Sequence, residues 1–346
     1  MFTIISGVGL LLLTLAGFSL FSMKAPKGSE AMSGMANAAI ASFLIEAVHK
    51  YITGDLFNLE FFQTLGSTSG SLGGVAAAIS VPLAMGANPV LAVVAGVAVG
   101  GYGILPGFIA GYAVGLIAPV LERKLPEGLN IIAGALMIAP LARIITILVD
   151  PAVNATLVKI GGTISAAADQ SPIVMGFLLG GIMKMICTSP LSSMALTAML
   201  GLNGLAMGIA AIACVGGSFT NGIIFHRMGF GDRSNVIAVM LEPLTQANII
   251  TKHPIPIYGS NFFGGGLAGI AAAAFGIINN APGTASPIPG LLAPFAFNSP
   301  LNVIGALVFA VAGGCIAGLV GSVVFKKLMS KEKAETKEVI GNIQFE

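Results

Sequence analysis

SNFFGGGLAGIAAAAFGIINNAPGTASPIPGLLAPFAFNSPLNVIGALVFAVAGGCIAGLVGSVVF, residues 260–325, contains no Asp, Glu, Lys or Arg. The charge-free stretch starts earlier, at His253, and is 73 residues long. Two more such stretches, Phe61–Leu121 and Met185–His226, are 61 and 42 residues long. A membrane-spanning helix needs roughly 20 apolar residues, so each stretch holds two or more passages. Composition agrees. The 346 residues are 55% hydrophobic and 9% charged, with a mean hydropathy of +0.95, where a soluble domain carries about 25% charged residues. The fold class expected is an all-α polytopic membrane protein.

Helical runs are expected near 3–22, 34–53, 72–86, 89–120 with a central break, 129–149, 173–188, 191–211, 212–226, 235–250, 257–279 and 301–326, so about 10 transmembrane helices. Met1–Phe21 carries no charge and reads as a retained first helix, since a secretory leader has a positive start. Lys326, Lys327, Lys331 and Lys333 favour a cytoplasmic C-terminus, and Lys24 and Lys27 favour a cytoplasmic first loop. With an even helix count these two signals oppose each other. Gly103, Gly107, Gly111 and Gly115 fall four apart, which flattens one helix face for close packing. Cys187, Cys214 and Cys315 stand in apolar runs and read as buried packers.

Prolines at 82, 89, 106, 190, 243, 254 and 256 interrupt apolar runs. Broken backbone at membrane depth is tolerated only inside protein or beside a water-filled cavity, and paired interrupted segments point to a transporter's site. Two places stand out. In ICTSPLSSMALTAMLGLNG (186–204), Thr188-Ser189-Pro190 has the pattern of a helix start, whose free N–H groups suit an oxygen-rich ligand. Ser193 and Asn203 belong to the same cluster; the bland alternative is that these groups bond to their own or a neighbouring helix. Lys184, one turn earlier, is expected to snorkel to an interface. In MLEPLTQANIITKHPIP (240–256), Glu242 is an acid in an apolar setting, a functional hypothesis by default. Gln246 and Asn248 both donate and accept, as a sugar's hydroxyls require. Against this, Glu242 is placed equally well at headgroup level, paired with Arg233 or Lys252.

His226 and His253 end apolar runs and read as interface residues. Glu46 and His49 form a lone Glu-x-x-His, and a carboxylate-bridged metal pair needs a second one. Asp150 and Asp169 flank an amphipathic segment, 151–168, and Asn154-Ala-Thr156 is a short sequon match. There is no P-loop, nucleophile elbow or zinc spacing. No catalytic residue, metal site or cofactor is expected, and no nucleic-acid partner.

Several stretches resemble the membrane (IIC) component of the bacterial phosphoenolpyruvate-dependent sugar phosphotransferase system, of the glucose-superfamily EIIC type, and more narrowly its PfoR-type regulator branch. They are TSPLSSMALTAMLGLNGLAMG (188–208), LTQANIITKHPIPI (244–257) with SNFFGGGLAGI (260–270), PGTASPIPGLLAPF (282–295), KLPEGLNIIAGALMIAPLARIITILVDPAVNATL (124–157) and GYGILPGFIAGYAVG (101–115). The resemblance implies a multi-pass protein of the bacterial plasma membrane, in contact with lipid, forming a homodimer. Residues 1–170 would be a scaffold and dimerisation half. Residues 171–326 would bind and carry a sugar-like solute between broken helices and re-entrant hairpins, and 327–346 would be a charged cytoplasmic tail. Phosphorylation would fall to separate IIB and IIA proteins. Gln246 stands at or near the family's sugar-binding glutamate, with Glu242 one turn before it. Three readings stay open: a transporter of a polyhydroxylated solute, a PfoR-type sensor without net transport, and ion-coupled transport through Glu242.

Overall fold

The computed structural model describes residues 2–124, 126, 129–189 and 193–343. It is 85% helical, with no strand among the described residues. The chain opens with α1 (Phe2–Lys24) and α2 (Gly28–Ala39), which continues through the π-helical stretches Ile40–Leu44 and Glu46–Leu56. Next come α3 (Glu60–Ser71), α4 (Gly73–Ala84), α5 (Pro89–Ala98), α6 (Ile104–Lys124) and α7 (Asn130–Gln170). They are followed by α8 (Pro172–Thr188), α9 (Ser193–Met199), α10 (Gly204–Met228), α11 (Arg233–Leu241), α12 (Ala247–Ile250), α13 (Pro254–Ala274), α14 (Pro287–Leu292) and α15 (Pro300–Ile343). Six stretches are long and apolar enough to cross a membrane: Ile5–Lys24, Gly28–Asp55, Ile104–Lys124, Asn130–Val153, Gly204–Met228 and Pro300–Leu328.

Local chemistry sets many of the breaks. Asn88 caps α5 by accepting from Val90 N–H at 2.9 Å, with Pro89 in the first turn. Asp232 and Asn235 form a reciprocal capping box that starts α11. Gly229, in the left-handed region at φ 72°, stops α10.

α4 packs on α2, α5 and α6, and α7 packs on α1, α5 and α6. α8, α10, α13 and α15 pack on one another. Both groups rely on backbone touching backbone. A Cβ on Gly107 would lie 2.2 Å from the Gly74 carbonyl, and one on Gly269 would lie 2.0 Å from that of Gly176. The flat face expected on α6 therefore receives α4, with Gly111 against Ala78 and Gly115 against Met85.

The basic loops gather at one end. Lys27 donates from Nζ to the Met85 carbonyl, and Asn88 N–H donates to Glu122. Ser29 shares a cavity with Thr251, and Gly321 of α15 meets Ser260 and Ile224. Lys24, Arg123 and Arg227 lie in the last turns of α1, α6 and α10, and Arg233 begins α11; the charge rule assigns this basic end to the cytoplasm.

Other expectations need correction. Residues 129–149 and 151–168 form one helix, α7, which carries Pro140 and Pro151 inside it. The expected runs 191–211 and 212–226 are divided instead at Leu200–Asn203, and α10 is continuous. Thr188 ends α8 and does not begin a helix; Ser189 N–H closes that helix on Met185 and Ile186. Pro190 lies outside the described residues.

Candidate functional site

Two hairpins enter the α8–α10–α13–α15 bundle from opposite ends. From the cytoplasmic end, α11 runs inward beside α10, with Met240 against Gly222. Glu242 then turns to extended backbone (φ −148°, ψ 97°), and Pro243 starts a 3-10 turn, Pro243–Gln246. α12 leads back to His253, and Pro254 begins α13. The prolines thus bracket a reversal, as their missing N–H groups allow at a first helical position. From the other end, residues 277–298 loop inward through α14, with Gly290 against Ala211 of α10. This non-helical stretch is tied internally. Asn279 donates to Thr284 Oγ1 at 2.8 Å, Thr284 Oγ1 donates to the Ala281 carbonyl, and Ala281 N–H donates to Asn279.

A cavity of about 460 Å³ opens between α2 and the first hairpin. Glu242, Thr245 and Thr251 line one wall, and Ser29, Ser33 and Asn37 line the other. The second set falls at every fourth position of α2, so it forms one stripe on one face. Glu242 accepts from Leu244 N–H at 3.4 Å, and no Lys or Arg pairs with it among the described residues. A carboxylate, two threonines, two serines and an amide offer donors and acceptors in a cavity that Ala36, Ile40, Leu244 and Ala247 also line.

The expected site residues do not all meet here. Glu242 lines the cavity. Gln246 is buried, its Oε1 accepting from Asn235 at 2.7 Å and its Nε2 donating to Thr245 at 3.1 Å. The side chain of Asn248 lies outside the described residues. Thr188 is buried and its hydroxyl donates to the Lys184 carbonyl; Ser189 Oγ donates to the Ile186 carbonyl. Ser193 is buried and donates to the Ala285 carbonyl at the tip of the second hairpin. Asn203 is exposed at the start of α10, the end opposite Glu242, with Nδ2 3.4 Å from the Gly201 carbonyl.

Two features escaped the sequence reading. The α2 stripe was one; its signal is Ser29-x3-Ser33-x3-Asn37 within an apolar run. The other is Lys184, which does not snorkel. It is fully buried, its stem laid over Gly217 and Gly265, where a Cβ would come within 2.3 Å of it. Its Nζ lies 3.4 Å from the Cys214 carbonyl. Burying a cation is costly, and two glycines from two helices leave the room its stem occupies.

The remaining candidates take structural roles. Cys187 and Cys214 are buried and Cys315 is half-buried, all as free thiols. His253 stacks on Phe230 at 4.0 Å, and His49 stacks on Phe62 at 5.4 Å. Glu46 pairs with Lys50 at 3.2 Å. Among the described residues no group of three His, Cys, Asp or Glu side chains could hold a metal.

The family model described as phosphotransferase system, EIIC matches residues 29–339. No curated protein and no solved structure matches the chain.

Proposed function

Because the chain belongs to the EIIC family of the phosphotransferase system, the plasma-membrane component of sugar uptake that works with IIB and IIA proteins, we propose that the cavity between α2 and the Glu242 hairpin binds its solute. The solute is a sugar or a similar polyhydroxylated molecule. The observation that carries this reading is the cavity's lining: one carboxylate facing hydroxyl and amide side chains, in about 460 Å³, within the range of small-molecule pockets. Glu242 accepts from solute hydroxyls, Asn37 donates and accepts, and the hydroxyls of Ser33, Thr245 and Thr251 complete the ring. The cavity lies at the cationic, cytoplasmic end, where a IIB protein reaches the solute to phosphorylate it.

In this reading residues 171–326 carry the solute, and 1–170 supply the fixed wall. Two copies associate through the apolar outer faces of the first half, where Leu136 and Leu148 of α7 are among the most exposed side chains. One observation favours the PfoR-type alternative, a sensor without net transport: Gln246, which the resemblance puts at or near the family's sugar-binding glutamate, bonds to Asn235 and Thr245.

A thermal-shift screen of the purified protein with hexoses, disaccharides, amino sugars, polyols and sugar phosphates tests the site. A ligand selective for the folded protein raises its melting temperature by mass action. A sugar that stabilises the parent but neither Glu242→Ala nor Asn37→Ala supports the cavity. Equal stabilisation of all three proteins removes it. Uptake of that sugar into vesicles, with and without IIB, separates transport from sensing.

A further inference from the structure

A second cavity, of about 320 Å³, lies further along the same helix, beyond the cytoplasmic one. Glu46 and Tyr51 of the π-helical stretch, Ser71 at the end of α3 and Pro282 of the second hairpin line it. Its position follows from the chain's course. The π stretch runs away from the cytoplasmic end, and α3 folds back on it, with Gly66 against Lys50 and Gly70 against Glu46. The two cavities approach each other along a single helix. Ile40 lines the cytoplasmic one and Phe43 the other. Only one helical turn separates them, and it is where α2 widens from α to π geometry, a change frequent at functional positions.

Phe43 fills that gap against two glycines. A Cβ on Gly73 of α4 would lie 3.3 Å from the far end of its ring, and one on Gly283 would lie 3.1 Å from Phe43 Cβ. Gly283 has φ 86°, a conformation that other residues rarely adopt. A tight turn of the second hairpin thus presses bare backbone onto the aromatic side chain, and Ala198 of α9 closes in from the side. Beside this barrier the second cavity carries the same kind of chemistry as the first: a carboxylate on Glu46, a phenol on Tyr51 and a hydroxyl on Ser71.

We propose that this second cavity is the outer vestibule for the same polyhydroxylated solute, and that Phe43 is the closed barrier between it and the cytoplasmic site. The identity of the solute rests on the reading given above; the barrier does not. Glu46 stays paired with Lys50 in the closed state and offers its free carboxylate oxygen to hydroxyls arriving from outside. Passage requires the Gly283 turn or α4 to withdraw from the Phe43 ring.

Sided cysteine labelling tests the barrier without any sugar. The three native cysteines are replaced by serine or alanine, and folding is checked by melting. Asn37→Cys or Ser71→Cys is then introduced, one in each cavity. Membrane vesicles of both orientations are exposed to a membrane-impermeant maleimide. With Phe43 present, Asn37→Cys labels from the cytoplasmic face alone and Ser71→Cys from the opposite face alone. Adding Phe43→Ala makes Asn37→Cys label from both faces. Phe43→Leu, which keeps most of the packing, gives a slower two-sided reaction and carries the test should Phe43→Ala fail to fold. Labelling of Ser71→Cys from the cytoplasmic face in the presence of Phe43, or one-sided labelling that neither Phe43 variant alters, overturns the proposal. A path that opens in a protein no sugar stabilises would sink the sugar reading and leave the barrier standing.

Discussion

Gly269→Ala measures how much the fold depends on backbone contact between α8 and α13. The added Cβ would lie 2.0 Å from the Gly176 carbonyl oxygen, where ordinary C···O contact begins at about 3.3 Å. No side-chain rotation relieves this, because the opposing atom is main chain, so the helices must part by about 1.3 Å. The same seam holds Gly180 against Gly265, and both contacts loosen together. Overpacking costs about 1–3 kcal/mol, here at the upper end, and alanine's better helix propensity returns about 1 kcal/mol. The net loss of about 2 kcal/mol corresponds to roughly 3 °C in melting temperature for a chain of this length. Gly17→Ala is the control: it is exposed on α1 with nothing within 4 Å of its Cβ, so only the propensity gain remains. The chain has no Trp, so a thiol-reactive dye that reports exposure of buried Cys187 and Cys214 is the suitable probe. Gly269→Ala melting at or above the parent, or together with Gly17→Ala, would refute the close crossing.

Lys184 is fully buried with no carboxylate paired to it among the described residues, and an uncompensated buried charge is destabilising, so Lys184→Met should melt at or above the parent, and Glu242→Gln, at a half-buried position, should change the melting point little. The double variant should melt above Glu242→Gln, and purely additive effects would show that the two charges are independent. Asn261 donates to Asn221 at 2.6 Å inside the bundle; Asn261→Leu should cost about 1–3 kcal/mol by stranding a buried polar group, and Asn221→Leu in the same chain should recover part of it on melting. Ser193→Ala removes the bond to the Ala285 carbonyl and should lower the melting point by a similar amount, with proteolysis of residues 277–298 accelerated. Asn37→Leu fills the cytoplasmic cavity with an apolar side chain, and should abolish sugar-dependent stabilisation while leaving the melting point of the free protein near that of the parent.

Membrane class, the flat glycine face of α6 and the inward turn at Glu242 were legible because each depends on local pattern. Long uncharged runs, glycine every fourth residue and a proline beside an acid keep their meaning wherever they fall. What was not legible depends on distant partners. A lysine in an apolar run reads alike whether it reaches an interface or lies buried; Lys184 is buried because Gly217 and Gly265, on two later helices, leave room for its stem. Thr188-Ser189-Pro190 has start-cap chemistry, but the helix before it extends through Thr188 and claims those hydroxyls for its own carbonyls. Gln246 is a plausible ligand residue by type, yet the capping residue Asn235 occupies its amide. The number of passages was not legible from apolar runs alone, since α4 and α5 span 12 and 10 residues, about 18 and 15 Å at 1.5 Å per residue, each by itself too short to cross about 30 Å of hydrocarbon.

The glycine seams joining α8, α10, α13 and α15 also bear on mechanics. Where side chains interdigitate, rotamer changes let helices creep past one another. Main chain seated on main chain has no such slack, and sliding by one residue drives a Cβ into a carbonyl. Those four helices therefore travel as one stiff body during any working cycle. Internal rearrangement falls to parts outside those seams, such as the two hairpins, α9 and the π-helical stretch of α2, so isotope-exchange and crosslinking differences between working states should concentrate there.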